Sequence, residues 1–272
     1  MLAEPQLSYG IAAFLGILQG IAEFLPISSS GHLALAEAWL GVDPASAGHS
    51  FNITVHAGTL LAVLLMFRRD LFDIARGLVN PEQVPWARPL FAALVVASLP
   101  LVVVLIPGVE DAVVRMEGEV RWIGAALLIT AALLGFSHRR NAPLDDRLAP
   151  PSLGVALLIG LAQLLAVTPG ISRAGSTIAA GLGLGLGRAR AARFSFLLSI
   201  PAVGAATAKE TLDVIGEGVG ALPLGPFALG FGLSFVVGLL SLGLLLRLIE
   251  RLGMLPFVPY LVVVGGLALI LG

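Results

Sequence analysis

The chain has 272 residues, of which 57% are hydrophobic and 12% charged, and its formal net charge is −1. These fractions indicate an integral membrane protein, since soluble domains average about 45–50% apolar and about 25% charged residues. The near-neutral charge and the scattered basic residues argue against a nucleic-acid partner, and the absence of cysteine excludes disulfides and thiolate metal sites. No cleavable signal peptide is expected, because residues 1–10 lack a basic region.

Six stretches, taken in chain order, are apolar enough to cross a bilayer. They lie near residues 51–67, 88–106, 122–136, 194–208, 227–246 and 256–271. Two further apolar stretches, 7–40 and 153–186, are interrupted by Pro, Gly and Ser, which favours hairpins that enter and leave the same face. The sequence therefore predicts an all-α polytopic membrane protein. It would form one domain, residues 1–272, with six transmembrane helices and two re-entrant helix–loop–helix hairpins.

The distribution of arginine supports this topology. If both broken segments re-enter, twelve arginines fall on one face: Arg68, Arg69, Arg76, Arg88, Arg139, Arg140, Arg147, Arg188, Arg190, Arg193, Arg247 and Arg251. The opposite face receives only Arg115, Arg121 and Lys209. Basic residues concentrate in cytoplasmic loops, so the arginine-rich face is predicted to be cytoplasmic and both termini to lie outside.

An internal repeat relates the two broken segments. A shift of 144 residues superposes Gln19 on Gln163, Ile27 on Ile171, Ser28 on Ser172 and Gly31 on Gly175. Each half, about 1–140 and 145–272, then holds one re-entrant pair and three spans. Because three is an odd number of crossings, the second half begins on the opposite face of the membrane and is inverted relative to the first. In such inverted repeats the broken helices meet near the bilayer midplane, with helix N-termini aimed at anionic ligand groups. The two turns are thus predicted to share one pocket.

Both turns carry polar residues that are expensive in hydrocarbon. Residues 19–32 read QGIAEFLPISSSGH, and a single mid-membrane charge costs roughly 2.5–3.5 kcal/mol by insertion scales. The second turn, residues 168–177, reads TPGISRAGST and places Arg173 where the first half places Ser29. Arginine binds phosphate oxygens bidentately, while a serine beside a histidine and a carboxylate supplies the parts of a hydrolytic site. The pattern therefore favours a phosphate ligand.

The segments QGIAEFLPISSSGHL and PGISRAGST closely resemble the two signature motifs of the bacterial undecaprenyl-diphosphate phosphatase family, the bacitracin-resistance type. The resemblance extends to FNITVHAGTLLAVLLMF and RARAARFSFLLSIPAVGAA, and runs nearly end to end. It implies removal of one phosphate from the C55 lipid diphosphate at the outer, periplasmic face of the bacterial inner membrane. This regenerates the monophosphate carrier for peptidoglycan and other wall polymers. A divalent cation, Mg²⁺ or Ca²⁺, is also expected.

The resemblance also assigns roles to individual residues. Glu23 matches the motif glutamate, Ser29 the proposed nucleophile, His32 the motif histidine and Arg173 the arginine that clamps the diphosphate. Further diphosphate contacts are expected from Ser28, Ser30, Gly170, Ser172 and Thr177. Gln19 precedes Glu23 by four residues, so both lie on one helix face and together are expected to hold the cation. The chain departs from the family pattern at Ala174, where serine is frequent, and at His56, where glutamine is frequent.

Several alternatives stay open at this point. Ser29 could attack phosphorus or position water, and His32 could take the serine proton or protonate the departing lipid phosphate. The serine run also suits a helix N-cap, and Glu23 with Arg173 also suits a structural ion pair. The type-2 phosphatidic-acid phosphatases, which share a similar serine–glycine–histidine element, are excluded because Ala179 stands where they need a nucleophilic histidine.

A secondary transporter of a phosphorylated lipid or anion is the main rival function, because inverted repeats with broken helices are typical of transporters. A transporter has no need of a serine and a histidine beside a phosphate clamp, so the local motif favours the enzyme. The partners predicted are a polyprenyl diphosphate and the bilayer, and a homodimer is left open.

Overall fold

The computed structural model describes residues 7–42, 49–138, 149–217 and 223–272, and within these ranges the chain is helical without strands. The α-helices are α1 Tyr9–Ala22, α2 Ser29–Leu40, α3 His49–Met66, α4 Arg68–Val79, α5 Ala87–Ser98, α6 Val109–Glu117, α7 Val120–His138, α8 Leu153–Leu165, α9 Arg173–Gly183, α10 Arg188–Glu217, α11 Leu224–Leu252 and α12 Val258–Leu271. Two 3₁₀ helices, Leu99–Leu105 and Leu255–Phe257, continue α5 and precede α12. The predicted all-helical membrane fold is confirmed.

Four helical segments within the described ranges are long and apolar enough to cross a membrane. They are Ala87–Leu105, Val120–Ser137, Arg188–Lys209 and Leu224–Leu252. The pair Ser50–Met66 and Arg68–Val79 passes the same test together, but it bends by 67° between the two helices. The apolar segments Tyr9–Ala22, Leu153–Leu165 and Leu255–Leu271 are shorter. Each of the six predicted spans therefore coincides with a helix, and four or five of them have the length and hydropathy of a crossing.

The two interrupted segments have matching boundaries. The first breaks between α1 and α2, and the second between α8 and α9, at positions 144 residues apart. All four helices begin at a serine N-cap whose hydroxyl accepts a backbone N–H three residues later: Ser8 from Ile11, Ser28 from Gly31, Ser152 from Val155 and Ser172 from Gly175. The same offset of 144 residues relates both pairs of caps. Equivalent local sequence thus gives equivalent helix starts.

Close helix packing depends on small residues. A Cβ added at Gly16 of α1 would lie 2.7 Å from the carbonyl oxygen of Gly230 in α11. In the second half, Gly160 of α8 approaches the backbone of Ala97 in α5 in the same way. Small residues let helix backbones approach closely in membranes, where van der Waals contact replaces the hydrophobic drive. Both interrupted segments are thereby held against a long apolar helix of the other half.

The core beneath the first turn is aromatic. Phe24 is fully buried, and its ring meets that of Phe196 in α10 edge-to-face, with the ring centroids 6.0 Å apart. Phe67, at the bend between α3 and α4, also stacks on Phe196, with the ring centroids 6.3 Å apart. Aromatic pairs of this kind contribute about 0.5–1.5 kcal/mol each beyond the burial of their area. Because Phe24 follows Glu23 directly, this packing fixes the backbone from which the carboxylate projects.

Candidate active site

Glu23 lies at the centre of a hydrogen-bonded group formed by the two turns. It follows the last residue of α1, and its side chain is 9% exposed. Its Oε2 accepts a hydrogen bond of 2.7 Å from the Ser29 hydroxyl, and its Oε1 accepts one of 2.6 Å from Nη2 of Arg173. The structure therefore brings together three predicted residues from both halves of the chain.

Gln19, one helical turn before Glu23, extends this group toward α3. Its Nε2 donates to Glu23 Oε2 at 3.3 Å and to the Thr59 hydroxyl at 3.4 Å. Its Oε1 is buried and has no hydrogen-bond partner in the described part of the chain. Thr59 was not identified from the sequence. The signal was present, because Thr59 and His56 are polar residues three apart in the predicted span 51–67.

His56, the residue that departs from the family pattern, lies beside the same carboxylate. Its Nε2 is 3.9 Å from Glu23 Oε2, and its Nδ1 is 2.7 Å from the carbonyl oxygen of Asn52. A carbonyl can only accept, so Nδ1 carries a proton. The imidazole thus adds a second polar side chain of α3 to the surroundings of Glu23.

The start of α2 is held in an unusual backbone conformation. Ser28 has φ 73° and ψ 101°, and it is the one non-glycine residue with positive φ in the described ranges. Such conformations cost of the order of 1–3 kcal/mol and persist where the surrounding structure enforces them. The Ser28 hydroxyl accepts from the Gly31 amide and lies 3.4 Å from the Ser30 hydroxyl. This turn directs the next side chain, Ser29, toward Glu23.

His32 is not bonded to Ser29 in this structure. Its Nδ1 lies 2.8 Å from the carbonyl oxygen of Ser28, and its Nε2 lies 2.8 Å from the Tyr260 hydroxyl. The hydroxyl of Ser29 instead has Glu23 as its acceptor. Tyr260, on α12, was not identified from the sequence, where its only signal is a tyrosine within a strongly apolar segment.

The second turn is fixed by α7. The Thr130 hydroxyl donates to the Gly170 carbonyl oxygen and accepts from the Ser172 amide, both at 3.1 Å. Gly170 has φ 92°, a conformation that glycine adopts without strain. A Cβ added at Gly31 would lie 3.0 Å from the Gly170 Cα, so the two turns are in direct contact.

The remaining predicted residues of the second turn support the start of α9. The Ser172 hydroxyl caps the helix by accepting from Gly175 at 3.0 Å. The Thr177 hydroxyl lies 2.8 Å from the Arg173 carbonyl oxygen and 2.6 Å from the Ser195 hydroxyl. Ala174, the other departure from the family pattern, is buried. These contacts orient the helix that carries the Arg173 guanidinium.

The arginines at the start of α10 lie at another end of the protein. Arg193 forms an ion pair with buried Asp70 of α4, and Arg190 donates to the Ala149 carbonyl oxygen at 2.7 Å. Arg188 donates to the carbonyl oxygen of Glu250 at 3.3 Å. The role of the three arginines in membrane topology stays a prediction. Arg139, Arg140 and Arg147 of the same predicted face lie outside the described residues.

The group around Glu23 has the chemistry of an activated hydroxyl beside an anion clamp. A serine hydroxyl that donates to a carboxylate can lose its proton to that carboxylate as it attacks. Nη1 of Arg173 is buried without a hydrogen-bond partner among the described residues, so its donors can serve a ligand. Guanidinium donors suit phosphate oxygens. The arrangement fits transfer of a phosphoryl group.

Comparison with known proteins agrees with this geometry. The family model described as "Bacitracin resistance protein BacA" matches residues 12–267. The chain belongs to this family. The bacitracin resistance family was also the family identified from the QGIAEFLPISSSGHL and PGISRAGST motifs, so that prediction is confirmed.

Several curated relatives of the chain match it nearly end to end. A protein of Desulfosudis oleivorans, named undecaprenyl-diphosphatase, is 41% identical over 95% of this chain and 96% of its own length. Proteins with the same name from Geobacter sulfurreducens and Geotalea daltonii are 40% and 36% identical, each over 95% of this chain and 96% of its own length. These names describe a phosphatase, so they give the transporter alternative no support.

Proposed function

We propose that the chain hydrolyses undecaprenyl diphosphate to undecaprenyl phosphate and inorganic phosphate. The observation that carries this proposal is the Glu23 carboxylate, which accepts from the Ser29 hydroxyl at 2.7 Å and from the Arg173 guanidinium at 2.6 Å. The relatives named undecaprenyl-diphosphatase align over almost the whole chain. The lipid monophosphate is the carrier on which peptidoglycan and other wall polymers are assembled, so the reaction recycles that carrier.

In the first step, the Ser29 oxygen attacks the terminal phosphorus of the diphosphate. Glu23 takes the hydroxyl proton through Oε2, the atom to which that hydroxyl already donates. The bond between the terminal phosphorus and the bridging oxygen breaks, and the bridging oxygen leaves with the lipid monophosphate, which takes the proton from Glu23. In the second step, Glu23 accepts a proton from water that attacks the phosphoserine. The bond between phosphorus and the Ser29 oxygen breaks, inorganic phosphate leaves, and Glu23 returns its proton to that oxygen, which restores the hydroxyl.

Arg173 and the two helix starts stabilise charge on the phosphate oxygens during this displacement. The transition state of phosphoryl transfer is loose, so the protein acts mainly by positioning and electrostatics. The unpartnered Nη1 of Arg173 supplies donors, and α2 and α9 begin at Ser29 and Arg173 themselves. The first backbone N–H groups of a helix have no intrahelical acceptor and bind anions readily.

The wider diphosphate contacts predicted for Ser28, Ser30, Gly170, Ser172 and Thr177 remain part of the proposal. Their support is that all five belong to the two turns and the helices that follow them. Ser172 and Thr177 act through the backbone of α9, which they cap and brace. Gly170 keeps the second turn close to Gly31 of the first.

The residues at the centre fit a divalent cation that is shared with the substrate. No group of three or more acidic or histidine side chains in the described ranges could hold a metal by itself. Glu23 offers a carboxylate, and the buried amide oxygen of Gln19 has no partner among the described residues. Mg²⁺ often binds through one or two carboxylates together with substrate phosphates and water. A cation held there would neutralise charge on the diphosphate and polarise its oxygens.

We also propose the finer membrane arrangement of six spans, two re-entrant hairpins and an inverted repeat. Its support is the recurrence of serine caps at the 144-residue offset, together with the packing of α1 on α11 and of α8 on α5. The contacts of Arg188, Arg190 and Arg193 bring the starts of α4 and α10, the end of α11 and the residues before α8 to one end of the bundle. By the positive-inside rule this end is cytoplasmic, and the first hairpin opens to the outer face.

The decisive test is phosphate release from a long-chain prenyl diphosphate by the purified protein in detergent, with Mg²⁺ and with a chelator. Ser29→Ala should lower kcat about 10³-fold or more, since serine nucleophiles have effects of this size or larger. Arg173→Ala should lower kcat/KM about 10²- to 10³-fold, as loss of a charge-stabilising donor does. Ser98→Ala and Arg88→Ala are matched controls, because both side chains donate to backbone carbonyls elsewhere. A folded wild type that releases no phosphate contradicts the proposal.

A further inference from the structure

We propose that Tyr260 is a positioning residue for the nucleophile, acting through His32 and the carbonyl group of Ser28. The proposal rests on the phosphatase function argued above and adds to it a residue from α12, far along the chain from either motif. It also assigns His32 a role in holding the turn rather than in moving the proton of Ser29.

The contact between the Tyr260 and His32 side chains joins α12 to α2. The Tyr260 hydroxyl lies 2.8 Å from Nε2 of His32, and the two rings stack with an interplanar angle of 12° and centroids 5.6 Å apart. His32 is buried, whereas Tyr260 is partly exposed. The imidazole is therefore restrained both at a nitrogen and across its face.

The partners of the two ring nitrogens of His32 agree on which nitrogen carries the proton. Nδ1 faces the carbonyl oxygen of Ser28 at 2.8 Å. A carbonyl oxygen only accepts, so Nδ1 is the protonated nitrogen. In the neutral ring Nε2 is then an acceptor, and the Tyr260 hydroxyl is the donor that satisfies it. In functional sites, the hydrogen bond made by one histidine nitrogen generally sets whether the other nitrogen carries a proton.

The protonated Nδ1 holds the backbone that aims Ser29. The Ser28 carbonyl oxygen accepts both from this nitrogen and from the His32 backbone amide, the latter at 3.1 Å. Ser28 has the positive φ of 73° that turns the chain into α2. In the other tautomer, a lone pair on Nδ1 would face the carbonyl oxygen and repel it. The residue preceding Ser29 would then lose the bond that restrains it.

The same contacts argue against His32 as the group that takes the proton of the Ser29 hydroxyl. Both of its ring nitrogens already have partners, and the Ser29 hydroxyl donates to Glu23 at 2.7 Å. The chain of contacts therefore runs from Tyr260 to His32, from His32 to the Ser28 carbonyl, and from Ser28 to the direction of Ser29. Loss of the hydrogen bond between Tyr260 and His32 should slow the attack of Ser29 on phosphorus. It should leave Arg173 in place to bind the diphosphate.

The kinetic test compares the two tyrosines of the chain. Tyr260→Phe keeps the ring but removes the donor, and it should lower kcat about 10- to 100-fold, as loss of an outer partner of a functional histidine does. KM should stay within about twofold, because Arg173 and the helix starts bind the substrate in both forms. Tyr9→Phe, at the exposed start of α1, is the matched control and should leave both constants unchanged.

The second readout needs no substrate. Selective ¹⁵N labelling of the four histidines, with His32 assigned from the spectrum of His32→Gln, reports the protonated nitrogen directly by NMR. The wild type should show a single tautomer with the proton on Nδ1. Tyr260→Phe should shift the Nε2 resonance, because that nitrogen loses its donor, and should speed exchange of the Nδ1 proton, because the ring loses a restraint. Tyr9→Phe should match the wild type.

The two readouts together decide the proposal. An unchanged kcat in Tyr260→Phe overturns it, as does a rise in KM at constant kcat, which would make Tyr260 a substrate contact. A fall in kcat without a change in the His32 signals also overturns it, since the effect would not pass through the imidazole. A wild type with the expected tautomer but no phosphate release would instead contradict the proposed function and leave the tyrosine–histidine contact intact.

Discussion

Glu23 and Arg173 are separated by 150 residues in the chain, and their side chains meet at 2.6 Å. Each comes from a turn between two short helices, so neither position alone reveals the partner. The pair is largely shielded, with the side chains 9% and 15% exposed. The pair joins the two turns through Nη2 of Arg173. It leaves Nη1 of Arg173 to bind an anion.

The two roles of the pair can be separated by substitution. Arg173→Lys keeps the charge but loses the planar fork of donors, and kcat/KM should fall about 10- to 100-fold because a single ammonium cannot bind phosphate bidentately. The thermal unfolding temperature should change little, since the contact with Glu23 can persist. Arg88→Lys serves as the control. Full activity in Arg173→Lys would show that the pair is structural only.

Contact between the turns should be sensitive to one methyl group. In Gly31→Ala the added Cβ would lie 3.0 Å from Gly170 Cα and 3.2 Å from the Ile123 side chain, so the turns must move apart. We expect kcat to fall by about tenfold or more, since small displacements of reacting groups are costly. Gly135→Ala has no atom within 4 Å of the new methyl group and should retain activity. Equal activity of the two variants would contradict this view of the turns.

Gln19 should influence the response to metal. Gln19→Leu removes the amide oxygen that we propose as a ligand, and the Mg²⁺ concentration for half-maximal rate should rise about 10-fold or more. Gln163→Leu is the matched control, because Gln163 occupies the equivalent buried position 144 residues later. The measurement is the rate of phosphate release across a Mg²⁺ titration. The same Mg²⁺ dependence in wild type and Gln19→Leu would remove Gln19 from the ligand set.

The ion pair of Asp70 with Arg193 should matter for stability and not for chemistry. Asp70 is buried while Arg193 is partly exposed, and loss of a partner from a half-shielded pair leaves the other group short of a hydrogen bond. Asp70→Asn should lower the free energy of unfolding by about 1–3 kcal/mol. The kcat of the remaining folded protein should be unchanged. Asp73→Asn, on the same helix, is the control, and thermal unfolding in detergent measures the difference.

The long apolar helices and the central residues of the site could be predicted from the sequence. A helix lies at each of the six apolar segments from which spans were predicted. The repeat predicted that the turns carrying Ser29 and Arg173 share one pocket. Helices α4 and α6 were not predicted, because short amphipathic segments give a weak signal beside long apolar ones. The 67° bend before α4 was missed for the same reason.

Contacts between helices far apart in the chain could not be predicted from the sequence. The partner of His32 lies 228 residues away on α12, and nothing in the periodicity of that segment points back to α2. Thr59 was missed although its segment had been noted, because its contact with Gln19 depends on how α3 packs beside α1. The sequence left open whether His32 takes the proton of Ser29 or protonates the departing lipid phosphate. The structure shows that Glu23, six residues before Ser29, is the acceptor.

The two repeated turns differ at the positions of the central side chains. At the 144-residue offset the second half has Val167 in place of Glu23, Arg173 in place of Ser29 and Ser176 in place of His32. The two halves therefore share the arrangement of their helices but carry different side chains: the first half carries Glu23, Ser29 and His32, and the second half carries Arg173. Neither half can replace the other, so we expect a substitution in either turn to impair the pocket that we propose they share.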